Sequence, residues 1–108
     1  MNKSRLNILL QYLKEEPDDP FNLYALAMEY QNVDKEKAKE YFDLLLEKHE
    51  NYLPTYYHAA GYYRQKDKER AEEIYKKGIL FAESTGNKHA LRELKSAYND
   101  FLYDNDED

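Results

Sequence analysis

Carboxylates are many in this chain but are expected to project mostly outward, and the three histidines are scattered over different helices. The histidines, His49, His58 and His89, form no His-x3-His or His-Glu-x2-His pair, the spacings that place zinc ligands on one helix face. No serine lies in a nucleophile-elbow context, and no glycine-rich phosphate loop is present. We therefore predict no catalytic residue, no metal site and no cofactor, and we expect that the protein is not an enzyme.

Composition narrows the class further. The chain has 108 residues, a net charge of −6 and no cysteine, so we expect one domain without disulfides or thiolate metal sites. An acidic surface argues against binding nucleic acid, which needs basic groups to neutralise phosphates, and against attraction to anionic membranes. No apolar run has the length of a signal peptide or a membrane span. We expect a soluble, cytoplasmic protein.

Six helices are expected from the hydrophobic periodicity and the scarcity of glycine and proline. Pro17 stops the first helix, while Asp34 and Asp67 are placed to cap the third and fifth. The acidic tail after Tyr103 is expected to be disordered. The predicted segments are an N-terminal helix over 3–17, helix pairs over 20–50 and 54–83, a C-terminal helix over 88–103 and a tail over 104–108.

A repeat of 33 residues organises the chain. A period of this length is typical of stacked helix–turn–helix units, each of which buries its apolar face against its neighbours. Because such stacks present surfaces for binding, the repeat favours a scaffold over an enzyme. The identities under this shift pair Tyr24, Ala27, Tyr30, Asp34, Lys35, Glu36, Ala38 and Glu40 with Tyr57, Ala60, Tyr63, Asp67, Lys68, Glu69, Ala71 and Glu73.

The order of large and small residues resembles the tetratricopeptide repeat, whose pattern is W-x2-L-G-x2-Y followed by A-x3-F. Leu23 and Tyr56 replace the usual tryptophan, and Ala27 and Ala60 replace the glycine. The resemblance implies an all-α, right-handed superhelical stack of two complete repeats, flanked by one helix at each end. The matching residues are Leu23, Leu26, Ala27, Tyr30, Ala38 and Phe42, then Tyr56, Ala59, Ala60, Tyr63, Ala71 and Tyr75.

In proteins similar to this one, the first helix of each repeat lines a concave groove, so the resemblance also implies a binding surface. We expect it to be aromatic at one end and basic at the other, with Tyr24 beside Tyr57. Gly61 would allow close backbone approach, and Arg64 and Arg92 could bind a carboxylate. The expected groove residues are Phe21, Tyr24, Met28, Gln31, Pro54, Tyr57, Gly61, Arg64, His89, Arg92, Ser96 and Asn99.

The leading functional prediction is a protein-interaction module that binds a peptide or protein segment with apolar and acidic groups. The alternative for Tyr24, Met28 and Tyr57 is that they cover the edge of the stack or meet a second copy. A structural unit that assembles with itself is therefore the second hypothesis, with Phe101 and Leu102 as its expected exposed edge. The sequence leaves open whether the protein is a monomer or a weak homo-oligomer, and it does not identify the partner.

Overall fold

The computed structural model describes residues 3–106, which form six α-helices and, within that range, no strand. The helix count and the all-α class match the prediction. The helices are α1 (Lys3–Glu15), α2 (Pro20–Tyr30), α3 (Lys35–Lys48), α4 (Pro54–Tyr63), α5 (Lys68–Thr85) and α6 (Lys88–Asp106).

Aspartates start the second helix of each repeat, as predicted. The Asp34 carboxylate accepts a hydrogen bond from the backbone N–H of Lys37 at 3.2 Å. The Asp67 carboxylate does the same for Arg70 at 3.1 Å. Each bond satisfies an N–H group that the first turn of a helix leaves without an intrahelical acceptor. The same local rule therefore places α3 and α5 at equivalent points of the repeat.

The C-terminal helix is longer than the sequence indicates. Helix α6 continues to Asp106, so the first three residues of the predicted disordered tail are helical. Asp104, in this extension, forms an ion pair with Arg64, a contact that composition does not reveal. Glu107 and Asp108 lie outside the described residues. At the other end, α1 ends at Glu15, before Pro17.

Gly86 separates α5 from α6. Its φ of 72° lies in the left-handed region, which glycine adopts without a steric penalty, and its N–H bonds to the carbonyls of Ala82 and Glu83. The Asn87 side chain then accepts a hydrogen bond from the N–H of Ala90 at 3.0 Å. Helix α5 consequently ends at Thr85, two residues after its predicted end.

The chain divides into two compact units, one up to Tyr52 and one from Leu53 onward. The first contains α1–α3 and the second α4–α6. The division falls between the two predicted repeats, 20–50 and 54–83. The assignment of residues 1–103 to a single domain stays a prediction.

In the first unit, small and large residues alternate along the contact between α2 and α3. Ala27 and Ala38 are fully buried, which lets the two helix axes approach closely. The Tyr30 ring stacks on Tyr41, with centroids 5.9 Å apart. Helix α1 closes the other side of α2 through a separate apolar cluster that includes Leu6, Leu9 and Leu26.

The second unit repeats this arrangement with a closer approach. A Cβ built on Gly78 would lie 2.6 Å from the Cβ of Tyr56, so only glycine fits there without movement of α4 or α5. Helix α6 packs through Leu94, Ala97 and Phe101. Phe101 is 3% exposed and lies against Tyr75, with ring centroids 5.7 Å apart. The expectation that Phe101 forms an exposed edge was therefore wrong, because the Tyr75 ring covers it.

Candidate binding surfaces on the first helix of each repeat

In the first unit, the predicted binding residues extend along α2 and one position beyond it. Phe21 is 56% exposed in the first turn, whereas Tyr24, Met28 and Gln31 are half-buried. The Tyr24 ring meets the edge of Tyr52 at a centroid distance of 5.8 Å. Phe21 is thus the most accessible aromatic side chain on this face. Met28, about two helical turns after Phe21, offers a flexible apolar contact.

In the second unit, Tyr57, Gly61 and Arg64 lie on one face of α4 at i, i+4 and i+7, with Arg64 directly after its last residue. Tyr57 is 42% exposed, and its ring meets the edge of the His58 ring at 5.2 Å. Pro54, one turn earlier, is also exposed. This face therefore presents an aromatic ring, a stretch of bare backbone and a cation within two helical turns.

Gly61 has no packing role in the second unit. A Cβ built at this position has no heavy atom within 4 Å, apart from its own helix and chain neighbours. Glycine inside a helix costs about 0.5–1 kcal/mol relative to alanine because it loses more backbone entropy on folding. Position 78 must be glycine because α4 and α5 contact each other there, whereas no contact within the fold requires glycine at position 61.

Arg64 is held by three neighbours. Its Nη2 atom lies 3.1 Å from the Oδ2 atom of Asp104, and its guanidinium lies 5.8 Å from the centre of the Phe101 ring. Burial raises the pKa of the neighbouring Tyr75 phenol, and the Arg64 guanidinium partly offsets this increase. The guanidinium proposed for a partner's carboxylate therefore already binds a carboxylate of its own chain.

The predicted residues of α6 lie on its solvent side. Helical periodicity places them opposite Leu94, Ala97 and Phe101, the line through which α6 packs. The 35-residue offset that selected them assumed the packing register of the complete repeats. That they extend the binding surface of α4 stays a prediction. The exposed set is His89, Arg92, Ser96 and Asn99.

One solved structure decides the family of this chain. The crystal structure of the tetratricopeptide repeat domain protein from Salinibacter ruber is 35% identical in sequence, with a TM-score of 0.72. The match covers 78% of this chain and 96% of that one. The chain belongs to the tetratricopeptide repeat family. No family model matches the sequence, and no curated protein matches it.

Membership confirms the resemblance read from the sequence and the all-α helical repeat fold. Tetratricopeptide repeats are protein-interaction modules in general, and their fold is typically non-catalytic. Among residues 3–106, no group of three or more histidine, aspartate or glutamate side chains is arranged to hold a metal ion. Over the same range, no helix combines the length and apolar character needed to cross a membrane.

The edge of α6 that interacts with α4 and α5 in this tetratricopeptide repeat protein is acidic. Besides the Asp104 ion pair, Glu93 acts on His58, whose pKa burial lowers and the Glu93 carboxylate partly restores. Asp100 contributes to the raised pKa of Tyr75, of which burial is the main cause. These carboxylates are spaced i, i+7 and i+11, which places them on one helix edge. That spacing was the sequence signal for this edge, and the sequence analysis missed it.

Proposed function

We propose that this protein is a non-catalytic interaction module that binds a segment of another protein on the exposed face of α4. Membership of the tetratricopeptide repeat family supports the general class. The observation that carries the proposed location is Gly61, a solvent-facing glycine inside a helix with open space above it. A residue that weakens its helix and fills no packing role fits a place where a partner's backbone comes close.

The neighbours of Gly61 suit this role. Tyr57, on the preceding turn, offers a large apolar ring at a small cost in side-chain entropy, which is why tyrosine is common among the residues that dominate binding energy. Arg64, at the end of the helix, supplies planar donors for a carboxylate. We therefore propose a partner segment that places an apolar side chain against Tyr57 and a carboxylate at Arg64.

The equivalent face of α2, in the first unit, is a separate candidate surface. Phe21 contributes an exposed ring at the first turn, and Met28 stands at the position that Gly61 occupies in the second repeat. A thioether side chain adapts to different apolar groups because it is unbranched and polarisable. We propose that this face contacts apolar groups of the partner. The partner's identity and the cytoplasmic location stay predictions.

Self-assembly is the alternative function, and a different surface now favours it. Ile8 and Tyr12 are 51% and 49% exposed, and their i, i+4 spacing places them on one side of α1. An adjacent exposed pair of large apolar groups is a common feature of contact surfaces. Sedimentation velocity at increasing protein concentration tests this alternative. A mass that stays at one chain removes it, whereas a dimer that Ile8→Glu dissociates supports it.

A pull-down from a lysate of the source organism tests the proposed surface. The baits are the native protein, Tyr57→Ala, and Tyr103→Ala as a matched control that removes a more exposed tyrosine from the solvent side of α6. We expect prey that the native and Tyr103→Ala baits capture and that Tyr57→Ala loses. Equal capture by all three baits would place binding away from α4. Recovery of only the bait's own sequence would make self-assembly the leading function.

A further inference from the structure

The last turn of α6 contacts Arg64, the cationic residue of the proposed binding face. The Asp104 carboxylate bonds Arg64 at 3.1 Å, although the two residues are 40 positions apart in sequence. The Asp104 side chain is 70% exposed, whereas that of Arg64 is 28% exposed. The carboxylate thus approaches the guanidinium from the solvent side, the side from which a partner's carboxylate would come.

Arg64 has two aromatic neighbours besides Asp104. Its guanidinium carbon lies 5.8 Å from the centre of the buried Phe101 ring, and its charge acts on the phenol of Tyr75, which is 1% exposed. Packing against buried aromatic rings limits the rotamers of a half-buried arginine, so less entropy is lost when its donors bind a carboxylate. Arg64 is therefore preorganised for whichever carboxylate occupies it.

Asp104, in contrast, is weakly held. Exposed ion pairs contribute little to stability because water screens them. The turn that carries Asp104 also opposes its own helix dipole, since negative charge is unfavourable at a helix C-terminus. Helix α6 has no basic residue in its last turn. The sequence around and after Asp104 adds further negative charge from Asp106, Glu107 and Asp108.

We propose that Asp104 is an internal occupant of Arg64, which the carboxylate of an acidic partner segment must displace. This inference rests on the proposed function of the α4 face and adds a way in which binding to that face is regulated. We expect the partner's carboxylate to replace Asp104 rather than to bind beside it. Asp100 already acts on Tyr75, next to Arg64, so a further carboxylate would increase the repulsion between negative charges. The C-terminal turn of α6 thus competes with the partner for Arg64 and lowers the partner's apparent affinity.

The probe for this proposal is an acetylated octapeptide with the sequence of residues 101–108, which carries the natural occupant as a separate molecule. It is prepared with a free C-terminus and as the amide, to distinguish a terminal carboxylate from side-chain carboxylates. The Nε–Hε signal of Arg64 in NMR spectra of the full chain reports binding. The variants are Asp104→Asn, which removes the occupant, and Asp100→Asn, which removes one charge from the same helix but not the ion pair.

We expect the peptide to bind Asp104→Asn about threefold more tightly than the native chain, the factor that corresponds to the typical worth of an exposed ion pair. We expect a smaller gain from Asp100→Asn, which lessens the repulsion but leaves Asp104 on Arg64. If Asp104→Asn and the native chain bind equally, or if Asp100→Asn shows the same gain, Asp104 is not the competitor. An Arg64 signal that does not move in Asp104→Asn also overturns the proposal.

Failure here is separable from failure of the proposed function. If Tyr57→Ala still loses a prey that the native bait captures while the peptide leaves Arg64 unmoved, the α4 face binds a partner but Asp104 does not regulate it. Amide hydrogen exchange supplies a second readout that does not depend on the probe's affinity. Faster exchange in the last turn of α6 in Asp104→Asn than in Asp100→Asn supports occupancy of Arg64 by Asp104, and equal exchange contradicts it.

Discussion

The two repeats differ both at buried positions and on the exposed face of their first helix. The buried substitutions compensate one another, and the exposed ones do not. Inside, the first repeat buries Leu23 and Leu45, and the second has Tyr56 and Gly78 at the same two positions. The larger ring in the second repeat is accommodated by the loss of a side chain on the facing helix, where a Cβ would lie 2.6 Å from Tyr56. Buried positions therefore change together, as close packing requires.

Outside, no such compensation accompanies the changes. Met28 of the first repeat corresponds to Gly61, and Gln31 corresponds to Arg64. Nothing lies above Gly61 that required a smaller residue there. The comparison teaches that packing explains the substitutions between α2 and α3 and between α4 and α5, but not those on the exposed face of α4. Binding is the explanation that we propose for the latter.

The largest expected effect comes from Gly78→Ala. The added methyl group meets the Cβ and Cγ of Tyr56, so α4 and α5 must move apart, at a cost of about 1–3 kcal/mol. Urea unfolding measures this loss against a matched variant, Gly61→Ala. At Gly61 the same change meets open space and should stabilise the helix by about 0.5–1 kcal/mol. Equal effects at the two glycines would contradict the packing explanation.

A buried polar position gives the next effect. The Asn22 amide donates to the carbonyls of Tyr12 and Glu16, both at 3.2 Å, and so ties the end of α1 to α2. At the equivalent position, the Thr55 hydroxyl is buried without a hydrogen-bond partner among the described residues. We expect Asn22→Ala to destabilise the protein by about 1–2 kcal/mol.

Thr55→Val is the counterpart of that variant, because it keeps the shape and removes only the unpaired hydroxyl. We expect it to leave the stability unchanged or to raise it by up to about 1 kcal/mol. Thermal unfolding followed by circular dichroism measures both variants. If Thr55→Val lowers the stability as much as Asn22→Ala, the Thr55 hydroxyl contributes as much as the Asn22 amide, which would contradict this account.

The smallest effect concerns His58, which stands where the first repeat has Ala25. Burial lowers the pKa of His58 below its ordinary value of 6.5. The unfolded chain therefore binds this proton more readily, so stability is fully present above pH 6.5 and falls as the pH drops below it. Between about pH 7.5 and pH 5.5 the melting temperature of His58→Ala should fall less than that of the native chain. An equal fall of the melting temperature in His58→Ala and the native chain would contradict this account.

The sequence was sufficient for the fold because repetition multiplies weak signals. Asp34 and Asp67 mark equivalent helix starts, and the alanine pairs mark close helix contacts, so each repeat supports the interpretation of the other. Helix α6 has weaker support, since Lys95 occupies a packing position of the pattern where the complete repeats have alanine. The binding role of its residues therefore stays a prediction. The ion pair between Arg64 and Asp104 joins residues far apart in sequence, and no local pattern indicates it.

The measurement that tests the central claim most directly is binding and stability of Gly61→Leu. The leucine side chain covers the open backbone of α4 and improves helix propensity, so loss of binding cannot be ascribed to unfolding. We predict a melting temperature at or above that of the native protein, together with loss of the prey that the native bait captures and Tyr57→Ala loses. Undiminished capture by a stable Gly61→Leu bait would contradict the proposal that the α4 face binds the partner.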